Sequence, residues 1–156
     1  MAKHTPKHTY VYVTYILSTP AKVWEALTDQ TISASYWERE NVSDWKVGSE
    51  WQHRLPGKSA DVIGQVLVSD PPRRLVTAWE TPSDRGNPDT SSRCAYDIED
   101  VGGKVKLTVT HSELSDEGLK AVSGGWPAVL SNLKTLLETG RTIPDPFGSL
   151  GAHPKG

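Results

Sequence analysis

Residues 125–140 have the sequence GWPAVLSNLKTLLETG, and the packing of the rest of the chain depends on this segment. Apolar side chains recur in this segment at spacings of four, three and four residues, which places them on one face of a helix. A proline near the start is tolerated in a first helical turn, and the closing glycine is a common C-terminal cap. The pattern predicts an amphipathic helix of about four turns that needs a large apolar surface to pack on. The apolar stripe consists of Trp126, Val129, Leu130, Leu133, Leu136 and Leu137.

The chain before this helix is predicted to supply that surface as strands. Residues 10–17 are rich in β-branched and aromatic side chains and predict a first strand. Ser18-Thr19-Pro20 then favours the start of a short helix, and residues 32–37 predict a second helix or a turn. From Val42 onward, glycine and proline separate short runs, as is typical of hairpins. These runs predict strands at about 49–55, 60–69, 75–81, 91–100 and 104–111.

The last of these runs has the clearest alternation. Val105, Leu107 and Val109 share one face, and lysine and threonine side chains occupy the other. One buried and one solvated face is the pattern of an antiparallel sheet. We therefore predict an α+β fold, in which a curved antiparallel sheet of six to seven strands wraps around the C-terminal helix, with two short helices after the first strand.

One domain is predicted between two irregular ends. Residues 1–9 are expected to form a flexible leader, and residues 142–156, rich in proline and glycine, a disordered tail. The domain itself then spans residues 10–141. Within it, residues 115–122 predict a separate short helix, because Ser123-Gly124-Gly125 is expected to interrupt the helical pattern before Trp126.

Composition excludes several classes of protein. A net charge of −2 over 156 residues gives no electrostatic argument for binding nucleic acid or an anionic membrane. Cys94 is the single cysteine, which rules out an internal disulfide and a cysteine-only metal site. No apolar run approaches the roughly 18 residues of a membrane span, and the N-terminus has no signal-peptide core. We expect a cytoplasmic protein without a cofactor.

Several segments, in chain order, match the motifs of a known family. They are STPAKVWEALTD (18–29), YW (36–37), VGSEW (47–51), DPPRRL with Trp79 (70–79), TVTHS (108–112) and residues 125–140. On these segments the chain resembles, over about residues 10–141, the activator of heat-shock-protein-90 ATPase homologue-like family of the START-like (SRPBCC, helix-grip, Bet v-like) superfamily. The segment VGSEW departs from the family's V-G-G-x-F at Ser49 and Trp51. The resemblance implies the helix-grip fold, a cavity between the sheet and the last helix, and a chaperone as a possible partner.

Aromatic side chains are the first candidates for the walls of such a cavity. Ligand pockets are mostly apolar with a few placed polar groups, and tryptophan and tyrosine suit that role. The alternative is that the same rings fill a solid core. The candidate wall residues are Trp37, Trp51, Trp79, Tyr96 and Trp126, joined by Leu130 and Leu133 from the helix.

Two histidines are candidates for the polar groups inside. His53 follows Trp51 at strand period, and His111 extends the buried face of the last strand. A neutral imidazole could orient a ligand, act as a general base or bind a metal, and it could equally be a structural core residue. Without a carboxylate at ligand spacing we predict no metal site, and we assign no catalytic residue.

Three functions remain open at this level. The leading hypothesis is a non-enzymatic domain that binds a small hydrophobic or aromatic ligand between the sheet and the C-terminal helix. The second is an interaction module that stimulates a chaperone ATPase, as the family name implies. The third is a cyclase or dehydratase acting on a polyketide-like substrate, which START-like relatives make possible.

Overall fold

The computed structural model describes residues 6–147. Ten principal elements follow one another, and a single 3₁₀ turn at Pro82–Asp84 interrupts the longest hairpin connection. Among these residues, no helix is both long and apolar enough to cross a membrane. The elements are β1 (His8–Ile16), α1 (Pro20–Thr28), α2 (Gln30–Trp37), β2 (Glu40–Val42), β3 (Glu50–Arg54), β4 (Ala60–Asp70), β5 (Arg74–Trp79), β6 (Ser92–Asp100), β7 (Val105–Leu114) and α3 (Asp116–Thr139).

The strands form one sheet in the order β1-β7-β6-β5-β4-β3-β2, and every neighbouring pair is antiparallel. Hairpins connect β2 through β7 in sequence, whereas β1 pairs with β7 because α1 and α2 carry the chain across to the opposite edge. The predicted helix-grip architecture is confirmed, with seven strands. The strand that the sequence pattern missed is the short β2 at the edge.

The core lies between the sheet and the helices. Val105, Leu107 and Val109 are fully buried on the predicted face of β7. Leu130 and Leu133 of α3 belong to the same apolar cluster and are almost entirely buried. The amphipathic stripe of the last helix therefore packs as its period predicts.

Helix α3 is continuous, so the predicted break at Ser123-Gly124-Gly125 is wrong. The helix starts at the Ser115 cap, whose side chain accepts from the N–H of Gly118, and it runs through Pro127 to Thr139. Burial explains the continuity, because the apolar period extends upstream from Trp126 to the half-buried Val122. Tertiary packing of this longer stripe offsets the low helix propensity of the glycine pair.

Elements and contacts of the described residues extend past residues 10 and 141, the expected bounds of the domain. β1 begins at His8, inside the expected leader, and residues 1–5 lie outside the described part of the chain. After α3 the chain turns back along the helix, because the N–H of Ile143 donates to Oδ1 of Asn132 and Phe147 packs against the core. Part of the expected disordered tail thus has defined contacts, and residues 148–156 lie outside the described residues.

Gly64 allows a close approach between neighbouring groups of the sheet. A Cβ at this position would lie 2.0 Å from the carbonyl oxygen of Ala78 and 2.8 Å from Nε1 of Trp51. That indole nitrogen donates to the same Ala78 oxygen at 2.7 Å. The glycine therefore lets Trp51 reach across β4 and anchor to β5.

Candidate functional site

A cavity of about 480 Å3 lies between α3 and the β2–β5 half of the sheet, and it is partly open to solvent. Its walls come from α2, β3, β4, β5, the first half of α3 and the segment that follows α3. Most of the lining surface is apolar, which is the usual composition of a small-molecule site. The lining residues are Trp37, Arg39, His53, Asp61, Val62, Trp79, Lys120, Ala121, Val122, Gly124, Gly125, Trp126, Ala128, Val129, Pro146 and Phe147.

Three tryptophans form the aromatic wall of this cavity. The ring of Trp126 on α3 lies 5.4 Å from that of Trp37 and 5.8 Å from that of Trp79, centroid to centroid. Their planes are inclined by 58° and 54°, so the rings pack at an angle and leave surface free toward the cavity. Gly124 and Gly125 precede Trp126 on α3 and also line the cavity, and a Cβ at either would meet nothing within 4 Å. The glycine pair therefore helps to keep this space open.

His53 presents an unprotonated ring nitrogen to the cavity. Its Nδ1 lies 2.6 Å from Oδ1 of Asn41, an amide held in place because its Nδ2 donates to the carbonyl of Leu27. A carbonyl oxygen only accepts, so the proton of the neutral imidazole is on Nδ1 and Nε2 carries a free lone pair. Burial, together with the charge of Arg39, lowers the pKa of His53 to about 3. The ring is therefore neutral at physiological pH.

Nε2 of His53 is accessible although the residue is only 5% exposed. Within residues 6–147 no group hydrogen-bonds to Nε2. Among those residues, the side-chain nitrogen and oxygen atoms that are fully buried and have no hydrogen-bond partner are Ser18 Oγ and Thr77 Oγ1. Because Nε2 of His53 is unpartnered and is not one of these two atoms, it retains some exposed surface. Because His53 lines the cavity, the accessible surface of Nε2 lies on that side. The site thus has one buried hydrogen-bond acceptor that the described protein leaves unused.

His111 has no such freedom. Nε1 of Trp126 donates to its Nδ1 at 3.1 Å, so the ring proton is on Nε2, which lies 2.8 Å from Oγ of Ser92. The Ser92 hydroxyl in turn donates to the carbonyl of Trp79 at 3.2 Å. This chain of bonds uses both ring nitrogens, and burial lowers the pKa of His111 to about 4. His111 therefore positions two of the wall tryptophans and does not face the cavity.

Charged side chains gather at the mouth. Nε of Arg39 donates to Oδ2 of Asp61 at 3.0 Å, and its Nη1 donates to the carbonyl of Glu38. Lys120 on α3 faces the same opening and is exposed. Among residues 6–147 there is no group of three or more histidine, cysteine or acidic side chains placed to hold a metal ion.

The structure brings four of the nine predicted site residues to the cavity wall, namely Trp37, His53, Trp79 and Trp126. The others lie behind this wall as core residues, each at most 4% exposed. Trp51 contacts Trp79, and Tyr96 and His111 contact Trp126, with ring centroids 5.4, 6.0 and 6.0 Å apart. Leu130 and Leu133 belong to the same apolar cluster. The structure therefore places these five residues outside the cavity lining, and their contact with a ligand stays a prediction. These five residues are Trp51, Tyr96, His111, Leu130 and Leu133.

Sequence reasoning missed the part of the wall formed by the first half of α3 and by the chain end. Because a break was expected at the glycine pair, the first half of α3 was not predicted to be part of the wall. Val122, Trp126 and Val129 nevertheless follow the helical period without interruption. That period was a usable signal. No local pattern pointed to Arg39, Asp61 or Phe147, whose positions depend on how distant segments meet.

Comparison with known proteins places this arrangement in a family. Residues 18–138 match the family described as Activator of Hsp90 ATPase homolog 1-like protein. The chain belongs to this family. A search of curated proteins found no match to the sequence.

Solved structures of the same fold come from several organisms. The Aha1 dimer of Colwellia psychrerythraea aligns with a TM-score of 0.71 at 20% identity, covering 85% of this chain and 98% of that one. CalU16 of Micromonospora echinospora gives 0.70 at 22% identity, covering 94% and 82%. An HSP90 activator from Plasmodium falciparum gives 0.69 at 19% identity, covering 83% and 95%. At these identities the likeness establishes the fold.

Proposed function

We propose that this protein is a non-enzymatic domain that binds a small apolar or aromatic molecule between the sheet and α3. The observation that carries the proposal is a cavity of about 480 Å3 walled by Trp37, Trp79 and Trp126. Burial of apolar ligand surface contributes about 25 cal/mol per Å2, so a ligand enclosed by these rings gains most of its affinity from desolvation. The Nε2 acceptor of His53 orients the ligand.

The acid–base properties of the site favour binding over proton transfer. A general base works best when its pKa is near the working pH, and His53, with a pKa of about 3, is a weak base. Both nitrogens of His111 are occupied by hydrogen bonds. Asp61 is paired with Arg39 at the mouth. These features support the binding function over the cyclase or dehydratase alternative.

A screen of apolar and aromatic compounds tests the proposal by thermal shift and two-dimensional NMR. The indole N–H signals report on position, because Trp37, Trp79 and Trp126 line the cavity whereas Trp24 on α1 does not. Binding compounds should raise the melting temperature and move the three wall signals but not that of Trp24. If no compound does so, the binding function fails.

A second candidate is an interaction module that stimulates a chaperone ATPase. The family description names this activity, and an apolar row on the outer face of the first strand offers a surface for a partner. Val11, Val13, Tyr15 and Leu17 are 54%, 45%, 46% and 69% exposed. Mixing the protein with the purified chaperone and measuring ATP turnover tests this candidate, with Val11→Ser/Val13→Ser as the matched surface variant. Stimulation that this variant loses would support it, and unchanged turnover would contradict it.

A further inference from the structure

The polar groups of the cavity define what kind of ligand fits, if the proposed binding function holds. The deepest of them is Nε2 of His53, which accepts and cannot donate because its proton is on Nδ1. A ligand atom that covers this nitrogen without donating a hydrogen bond leaves a buried acceptor unsatisfied, and that costs affinity. The complementary ligand group is therefore a hydroxyl or an N–H.

The mouth of the cavity favours a negative charge. Among its lining residues the charged side chains are Arg39, Lys120 and Asp61, two cations against one anion. Nε and one Nη1 hydrogen of Arg39 are used by Asp61 and Glu38, so other N–H groups of the guanidinium are left for a ligand. Arg39 also lies near enough to His53 for its charge to act on the imidazole. The acceptor and the cations are thus parts of one site.

The walls favour a flat ring system. Trp37, Trp79 and Trp126 offer ring surfaces inclined to one another, with centroids 5.4 and 5.8 Å apart. Aromatic pairs at such separations add to the gain from area burial. Gly124 and Gly125, beside Trp126 on α3, leave part of the lining without protruding side chains, against which a planar molecule can lie.

We propose that the ligand is a hydroxylated aromatic acid. Its ring system lies among the tryptophans, its hydroxyl donates to Nε2 of His53, and its carboxylate meets Arg39 and Lys120 at the mouth. A fatty acid shares the apolar body and the anion but has no donor for His53. A neutral hydrocarbon satisfies the walls alone. Both alternative ligands are therefore included among the compounds to be tested.

Titration calorimetry on the full chain tests the ligand class with a panel of hydroxynaphthoate isomers, their methyl ethers, the corresponding naphthols and a saturated fatty acid. At least one hydroxynaphthoate should bind about tenfold tighter than its methyl ether, because only the hydroxyl form satisfies His53. It should also bind several-fold tighter than the naphthol, and this second advantage should shrink with added salt.

Two variants assign these differences to residues. His53→Phe keeps a ring of similar shape and removes the acceptor, so the hydroxyl and methoxy forms should then bind equally. Lys120→Gln should reduce the advantage of the acid over the naphthol several-fold. Lys104→Gln, in the turn between β6 and β7 and away from the cavity, should leave both differences unchanged.

A measurement on the unmodified protein keeps the test independent of variant folding. Nitrogen NMR of isotope-labelled histidine should show the Nε2 signal of His53 moving when the hydroxynaphthoate is added and not when the ether is added. Equal affinity of the hydroxyl and methoxy forms, a static Nε2 signal or preference for the fatty acid would each overturn the ligand class. In those cases, binding of a naphthalene hydrocarbon to the wall tryptophans would still support the proposed binding function. If no compound of the panel binds, both the ligand class and the binding function are wrong.

Discussion

The indole Nε1 of Trp126 donates to Nδ1 of His111 at 3.1 Å and thereby ties α3 to β7. This one bond determines which nitrogen of His111 carries the proton, and Ser92 takes up the other side of the ring. The bond also sets the position of the Trp126 ring, which contacts the rings of both Trp37 and Trp79 in the cavity wall. The shape of the cavity therefore depends on a buried polar contact in the layer behind it.

Removing this donor should destabilise the fold. Trp126→Phe leaves Nδ1 of His111 buried without a partner and opens space beside it, so we expect a loss of about 2–4 kcal/mol in the free energy of unfolding. Urea denaturation measures it. Trp24→Phe is the matched control, because Trp24 is half-buried and its indole N–H has no hydrogen-bond partner among the described residues. A loss no larger than that of the control would show that the Trp126–His111 bond is unimportant.

Stability should fall as the solution is made acidic. The pKa values of His53 and His111 drop from 6.5 to about 3 and about 4 in the folded state. Between those values and 6.5 the unfolded chain binds more protons than the folded one, so the free energy of unfolding decreases as pH decreases, and neither histidine contributes above that window. From about pH 7.5 to about pH 5 the loss should be about 2 kcal/mol for each histidine.

Substitution isolates this effect from other titrating groups. In urea denaturation at both pH values, His53→Gln should remove about half of the acid-induced loss, and the double variant with His111→Gln should remove most of it. An unchanged pH dependence in the double variant would mean that neither imidazole is buried in its neutral form.

Two glycine-to-alanine changes should have opposite signs. At Gly124 a Cβ meets nothing within 4 Å and the backbone is helical, so alanine should stabilise α3 by up to about 1 kcal/mol. At Gly64 the Cβ would lie 2.0 Å from a backbone oxygen, so alanine should destabilise the sheet by about 2 kcal/mol or more. Thermal denaturation compares the two variants. Destabilisation by Gly124→Ala would indicate that α3 is interrupted at the glycine pair after all.

A larger side chain at the second glycine should close the cavity. Leucine at Gly125 is compatible with the helix and enters open space, so Gly125→Leu should keep the fold and weaken hydroxynaphthoate binding by about tenfold or more. Ser131→Leu places the same side chain on the exposed side of α3 and should leave affinity unchanged. Equal affinity in the two variants would place the ligand elsewhere.

The architecture could be predicted because it rests on local periods. The alternation of Val105, Leu107 and Val109 and the helical stripe through Trp126 each determine which face is buried, whatever their partners are. The break predicted at Gly124-Gly125 was wrong because that prediction used the low helix propensity of glycine and did not include the packing of Val122 against the core.

The site was harder to predict for a physical reason. Trp51 and His53 share the buried face of β3, yet only His53 reaches the cavity, because Trp51 turns its indole to the Ala78 carbonyl. Strand period specifies a face and not a depth. Which aromatic ring fills the core and which lines a void depends on the distance between layers, and that distance is a property of the whole fold.

Intermolecular nuclear Overhauser effects between a bound hydroxynaphthoate and valine methyl groups show whether the ligand lies in the space under α3. We expect contacts from the naphthalene protons to Val122 and Val129, which line the cavity. Contacts confined to Val11 and Val13, on the exposed outer face of β1, would contradict this position of the ligand.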